Sequence, residues 1–297
     1  INTTANSRSY VAYVFAHDDQ SFGTSGNESI IKCGSYTGSN STVNVNLGFE
    51  PQWVMVKASN FARGWIISDT MRGAFATSNG RFLSAENTDT EATADIAMRP
   101  TSTGFSLPSS DERANYSGVN YVYIAIRRPH KPPTAATEVF DDVMYNGTAG
   151  VQNIVNSLLY TDLTWIKRRT STDPPVITDR LRGDAKYFKT NLSDAASTWA
   201  SNDLIKLDKM YSFGLDGNAT GYINSGSQPY ISWNFKRAPG FFDVVAYNGS
   251  GSATNHNHNL EAVPELMLIK RRDTTGNWVV YAEGIGASPA ASYFLYL

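Results

Sequence analysis

One apolar strand is written three times in this chain and ends each time on a lysine: "QWVMVK" at residues 52–57, "LTWIK" at 163–167 and "LMLIK" at 266–270. Lys57, Lys167 and Lys270 are separated by 110 and 103 residues. Such a period means one supersecondary plan copied along the polypeptide, so what holds for one copy constrains the others. Sixteen residues beyond each lysine stands a glycine, namely Gly73, Gly183 and Gly286. Trp65 and Trp278 stand eight residues beyond the first and third lysines, while "DPPV" replaces the tryptophan in the middle copy. Ahead of each lysine strand comes "YTG" (36–38) or "YNG" (145–147 and 247–249). A tyrosine closing a strand before x-Gly reads as a tight turn in which glycine supplies a positive φ.

A second strand also recurs, as "YVAYVFA" (10–16), "YVYIAIRR" (121–128) and "YISWNFKR" (230–237). Strand side chains alternate between faces. One face is then Val11, Tyr13 and Phe15; Val122, Ile124 and Ile126; Ile231, Trp233 and Phe235. All are apolar or aromatic, so this face is expected to be the dry one. The other is mixed, from Ala12 and Val14 to Ser232 and Asn234.

Each unit of about 105 residues thus holds several short strands separated by Gly, Ser and Asn turns. Aromatic residues make up 12% of the 297 and charged residues 18%, with 23 glycines, which suits β-structure with polar loops. Residues 191–210 have room for a helical turn or two. The expected fold class is all-β, as tandem β-sandwich modules of jelly-roll type, because two half-dry sheets bury their faces on each other. A closed barrel is the main rival. The expected division is 1–28, the terminal strand of an incomplete repeat; 29–137 and 138–240, two sandwich repeats; and 241–297, the first half of a further repeat. The connector "RRPHKPPTAAT" (127–137) reads as stiff and extended, whereas "KRAPGFFD" (236–243) is so short that its two modules should nearly touch.

The last residues, "SYFLYL", align with "GRFLSAEN" at 80–87 and "KYFKTN" at 186–191, and the first, "INTTAN", fit the continuation of that stretch. The chain therefore opens and closes at one phase of the repeat. A fragment of a longer array is the favoured explanation. The alternatives are that the first strand completes the third unit of its own chain, or that of a neighbour.

The net charge of −2 gives no chain-wide attraction to nucleic acid. No apolar run approaches the roughly 18 residues of a membrane span, so no membrane insertion is expected. Cys33 stands alone, which excludes an internal disulfide and a cysteine zinc site and is in keeping with synthesis in a reducing cytoplasm. No G-x-S-x-G, phosphate loop or dinucleotide fingerprint occurs, and no carboxylate pair recurs in a recognisable frame. The expectation is a non-enzymatic protein with no cofactor, no metal and no catalytic residue. His256 and His258 in "NHNHN" read as solvated loop residues, and Asp141, Asp142 and Asp243 as turn formers rather than calcium ligands.

Basic residues recur where the strands end. Arg127, Arg128, Lys167, Arg168, Lys270 and Arg271, with Trp65 and Trp278, are the candidate binding residues, as a cationic, aromatic rim for an anionic glycan. The plainer reading makes them framework: charged strand ends that cap a sandwich and stack on aromatic rings.

The ordered motifs "INTTAN", "YVAYVFAHDD", "CGSYTGS", "VNLGFEPQWVMVK", "DTMRG", "TGFSL" and "SGVNYVYIAIRR" resemble a repeat of unknown function in virion structural proteins of tailed bacteriophages of marine bacteria and cyanobacteria. The resemblance is full over residues 1–128, weaker over 138–240, where "DRLRG" replaces "DTMRG", and returns in 241–297. It implies a virion location in a tail fibre or similar appendage, other virion proteins and copies of itself as partners, and a role in host attachment, with a host surface glycan as the ligand. Repeated modules would suit such a role by multiplying weak contacts. A capsid or tail decoration protein is the alternative, followed by a polysaccharide depolymerase or a bacterial secreted adhesin.

Overall fold

The structure is a computed structural model describing residues 10–23, 25–72, 80–94, 98–108, 111–183, 186–199, 205–207, 209–215, 221–283 and 295–296. Gly73 and Gly286 of the glycine motif lie outside the described residues, as do residues 1–9. The fold is all-β and antiparallel.

The first unit runs β1 (Ile31–Thr37), β2 (Val43–Asn46), β3 (Pro51–Ala58), β4 (Trp65–Asp69), β5 (Gly80–Phe82), β6 (Ala92–Ala94), β7 (Arg99–Thr101), β8 (Gly104–Leu107) and β9 (Asn120–Arg127). Its larger sheet has the order β1-β9-β3-β4, and the Ile67–Leu83 bridge adds the β5–β6 pair; β2-β8-β7 form the facing sheet. The second unit repeats this plan. Its strands are β10 (Phe140–Asn146), β11 (Gln152–Val155), β12 (Leu163–Arg168), β13 (Val176–Asp179), β14 (Lys186–Lys189), β15 (Ser197–Thr198), β16 (Ile205–Lys206), β17 (Ser212–Leu215) and β18 (Pro229–Phe235). They form sheets β10-β18-β12-β13-β14-β15 and β11-β17-β16. In both units the first strand pairs with the last and the second with the last but one, a nested closure of jelly-roll kind. The described residues of 191–210 include the short strands β15 and β16 and no helix; Tyr187 and Trp199 stack at 3.7 Å and draw β15 onto the sheet.

The third unit contributes β19 (Leu266–Ile269), β20 (Val279–Ala282) and β21 (Leu295–Tyr296), in the order β19-β20-β21. Val56 pairs Ile66, Ile166 pairs Val176 and Ile269 pairs Val279. The three lysine strands therefore enter the same hairpin in the same register. Residues 10–16, expected as a strand, are in no strand and stand exposed.

The inner face of the sandwich is the reverse of the sequence expectation. In β9 the buried residues are Tyr121, Tyr123 and Ala125, and in β18 they are Tyr230, Ser232 and Asn234. Val122 is exposed, and Ile124, Ile126, Ile231, Trp233 and Phe235 are half-buried on the outer face. The asparagine of β18 and the two core tyrosines tolerate the interior because they are paired. Asn234 lies 2.8 Å from the Thr164 hydroxyl and 3.1 Å from that of Ser232, while the Tyr121 and Tyr230 hydroxyls donate to Glu112 and Gly221 carbonyls. Tyr36 stacks on Tyr121 and Tyr145 on Tyr230, both at 5.2 Å between ring centres.

The glycine of the Tyr-x-Gly turn also has a different cause from the one expected. Gly38 and Gly147 are not among the positive-φ positions; a Cβ there would come within 2.2 Å of the Tyr116 and Ser225 carbonyl oxygens. The requirement is close approach of two backbones. Fully buried Asn115 and Asn224 hold that approach, accepting the Ser39 and Thr148 N–H groups and donating to the Ser41 and Gly150 carbonyls. A Cβ on Gly249 would meet no atom within 4 Å beyond its chain neighbours. We expect Gly147→Ala to destabilise its unit by about 1–3 kcal/mol, the range for overpacking, and Gly249→Ala to leave the thermal unfolding of the chain unchanged.

Candidate functional site: a buried charged lock between units

The recurring lysines are bound into the framework. Lys57 donates from Nζ to the carbonyls of Ala58 and of Arg63, six residues on; Lys167 donates to those of Ser171 and of Asp173, again six residues on, at 2.8 and 2.5 Å. A long stem with several donors on its ammonium can satisfy the carbonyls of the hairpin loop, which accounts for lysine at this position. In the third unit Lys270 and Gly276, again six apart, both donate to the Ser193 carbonyl of the second unit, at 3.0 and 2.9 Å.

The other candidate residues go to separate places. Arg127 pairs with Glu28 at 3.2 Å and lies over Phe49, and Arg168 reaches Asp173 and Gln228. Arg271 is exposed and holds Asp273. Trp65 is half-buried on β4. Trp278 is 5% exposed and meets Phe188 edge-to-face at 5.4 Å, on the outer face of the second unit with Leu163 and Ile177. Phe242 and Val244 pack there too. The outer apolar face of that unit is thus covered by the third. His256 stacks on Tyr247 at 4.0 Å, and His258 Nδ1 accepts the Leu260 N–H, so the two histidines serve separate local contacts.

Arg128 alone of the candidates enters a buried cluster of charges among the described residues. Glu50 leads into β3, Arg128 and Arg237 follow β9 and β18, and Asp243 opens the third unit. Arg237 donates both terminal nitrogens to the two Glu50 oxygens at 2.6 Å, and Nε to Asp243 Oδ1 at 2.6 Å. Its main-chain N–H goes to Asp162 Oδ2 at 2.8 Å. Asn259 donates to Asp243 through its backbone N–H and to Glu50 through its side chain. The Arg128 backbone N–H donates to the Glu50 carbonyl and its side chain to the Arg237 carbonyl, with Nε at 3.6 Å from Glu50 Oε1. The side chains of Glu50, Arg237 and Asp243 are at most 5% exposed.

Charge and burial compete here. Burial alone would lower Arg237, but Glu50 and Asp243 outweigh it and hold the guanidinium above its ordinary range. Burial would raise Asp243; Arg237 outweighs it and the carboxyl falls below the ordinary range. Arg128 is lowered by burial and by its neighbour Arg237. One arginine is therefore shared by carboxylates from two units, a fork geometry that lysine could not supply. Sequence reading took Asp243 for a turn former and passed over Glu50. Its one available signal was a glutamate immediately ahead of the first lysine strand.

Arg237→Met leaves Glu50 and Asp243 buried without their cation, and we expect it to lower stability by about 3–5 kcal/mol. A double-mutant cycle with Glu50→Leu, followed by urea unfolding, should give a coupling energy well above that of exposed pairs. His130, whose Nε2 lies 2.9 Å from Glu261, reports the same junction. Burial, with Arg128 and Arg127 beside it, lowers its pKa from 6.5 to about 4. The folded form is neutral, so its contribution to stability is complete above pH 6.5 and declines as the pH falls towards about 4. Asp243 adds a further loss below its ordinary value of 3.8. Denaturation between pH 7 and 4 should show this decline, and His130→Gln should flatten it.

Comparison with curated proteins and with solved structures finds no match. The family described as a domain of unknown function, DUF7483, matches residues 1–129 and again residues 135–297. The break between the two matches falls in the connector from β9 to β10. With nearly all of its length covered in two tandem segments, the chain belongs to the DUF7483 family.

Proposed function

We propose that this chain is a non-catalytic structural segment of a bacteriophage virion appendage, a tail fibre or similar, whose sandwich units set reach and orientation for host attachment. The observation carrying this reading is the junction, where a buried arginine of the second unit is gripped by Glu50 of the first and Asp243 of the third. Covering of the second unit's outer face by Trp278, Phe242 and Val244 makes the coupling apolar as well as ionic. An array coupled this way transmits position from unit to unit, whereas flexibly linked modules would not. Reaction chemistry has no comparable support: in the first two units the recurring lysines, tyrosines and buried asparagines close hairpins, cores or turns. The virion assignment rests on the motif resemblance, and within it a host surface glycan is the proposed ligand.

Antibodies against residues 29–240 should decorate thin appendages in negative-stain images of virions of a phage that encodes this repeat. Label restricted to the capsid lattice would replace the appendage with a decoration role, and unlabelled virions would overturn the proposal. Release of reducing ends from host envelope polysaccharide by the purified chain would make it a depolymerase.

A further inference from the structure

Two exposed rings and an ion pair sit together at one loop end of the first unit, at positions where the second unit carries neither. Phe61 is 38% exposed and Tyr116 41%, with ring centres 6.3 Å apart and planes inclined at 32°. The Arg63 guanidinium carbon lies 5.6 Å from the centre of the Phe61 ring. Arg63 donates Nε and one terminal nitrogen to Glu112 Oε2, and both side chains stay more than a third exposed. Among the described residues, Arg63 Nη1, Glu112 Oε1 and the Tyr116 hydroxyl have no hydrogen-bond partner.

The same hydrogen bonds fix these positions in both units. Lys57 reaches the Arg63 carbonyl as Lys167 reaches that of Asp173. The Tyr121 hydroxyl donates to the Glu112 carbonyl and accepts the Tyr116 N–H, and the Tyr230 hydroxyl does the same with Gly221 and Ser225. Phe61, Arg63, Glu112 and Tyr116 therefore correspond to Ser171, Asp173, Gly221 and Ser225. The framework needs none of the four side chains, since the second unit closes the same turns without them. Main-chain contacts hold the rings in place. The Arg63 N–H donates to the Phe61 carbonyl at 2.9 Å, and Asn60 Oδ1 accepts the Asn120 N–H at 2.8 Å, which fastens the loop to the start of β9.

We propose that this patch binds an uncharged glycan, one pyranose ring lying on Phe61 and Tyr116 with its hydroxyls on Arg63 and Glu112. A pyranose has an apolar C–H face that an aromatic ring covers, and a rim of hydroxyls that take donors and acceptors alike. Arg63 Nη1 supplies donors and Glu112 Oε1 an acceptor. The pair is neutral overall, so the patch offers no net cation for a phosphate backbone or an acidic sugar. A protein partner would need about 800 Å² a side around an apolar centre, whereas the residues beside the two rings are Asn60, Ser117 and Gly118. Loops already fixed by the framework lose little freedom on binding. The ligand class rests on the glycan reading given above; the site does not depend on the virion location.

The test is saturation-transfer NMR on the 297-residue chain, with uncharged galacto-, gluco- and manno-configured oligosaccharides as probes. Transfer to ring C–H protons is expected, with a Kd of about 1 mM for a single shallow site that gains strength through multiple copies. Phe61→Ser combined with Tyr116→Ser, the residues of the second unit, should weaken binding about tenfold and leave thermal unfolding unchanged. Arg63→Ala should weaken it several-fold. Undiminished binding by the double-serine variant would overturn the site and leave a glycan as ligand elsewhere on the chain. Absence of transfer to every probe at about 10 mM, ten times that Kd, would overturn the site and the glycan ligand together. Stronger binding of sulfated or uronic-acid oligosaccharides, or of a proline-rich peptide, abolished by the double-serine variant, would give the patch to that ligand and overturn the uncharged glycan. Sugar binding alongside unlabelled virions would keep this site and overturn only the appendage assignment.

Discussion

The tyrosine-led last strand of each unit is the element on which the rest of the architecture depends. β9 and β18 pair on both sides, with the first and third strands of their units, and no other element could hold that sheet together. Partners on the first strand are 83–95 residues away in sequence, so each sandwich closes only when its end returns to its beginning. That long closure is entropically slow and costly. The stacked tyrosine pairs, the buried asparagines and the side-chainless glycines all gather at the point where it is made.

Once that strand is in place, its outer face and its exit become the means of joining units. Arg128 and Arg237 stand one and two residues beyond β9 and β18, so the same closure that completes a core delivers an arginine to the junction. Glu50 and Asp243 then neutralise Arg237 where water is largely excluded. Such a cluster contributes less to net stability than its contacts suggest, because its charges were well solvated before folding. Its geometry is specific, however, and it fixes how neighbouring units sit. The apolar contact of Trp278 with Phe188 adds the non-directional part of the coupling.

Much of this organisation was legible in the sequence. The lysine spacing identified the repeat and the alternating strands the all-β class; Lys57 and Lys167 donate within their own hairpins and Lys270 to Ser193 of the second unit. The polar microdevices were less visible. The aspartates and arginines of "DTMRG" and "DRLRG" pair three residues apart, Arg72 on Asp69 and Arg182 on Asp179, a link that the glycine in each motif obscured. Asn115 and Asn224 each stand six residues ahead of the core tyrosine, a spacing that only two copies share and that local turn preferences would explain equally well.

Sequence alone determined the repeat, the all-β class and the alternation of the strands, because those follow from local chemistry repeated at a fixed interval. It pointed to the wrong inner face of the last strand: alternation shows that two faces differ, and here the outer one is largely half-buried as well. Only the tertiary structure decided that Ser232 and Asn234 lie inside, since a polar group can be buried once partners from other strands are in reach. Only the tertiary structure brought Glu50 to Arg237, 187 residues apart. The pairing of charges that distant depends on how whole units dock, which no local pattern encodes.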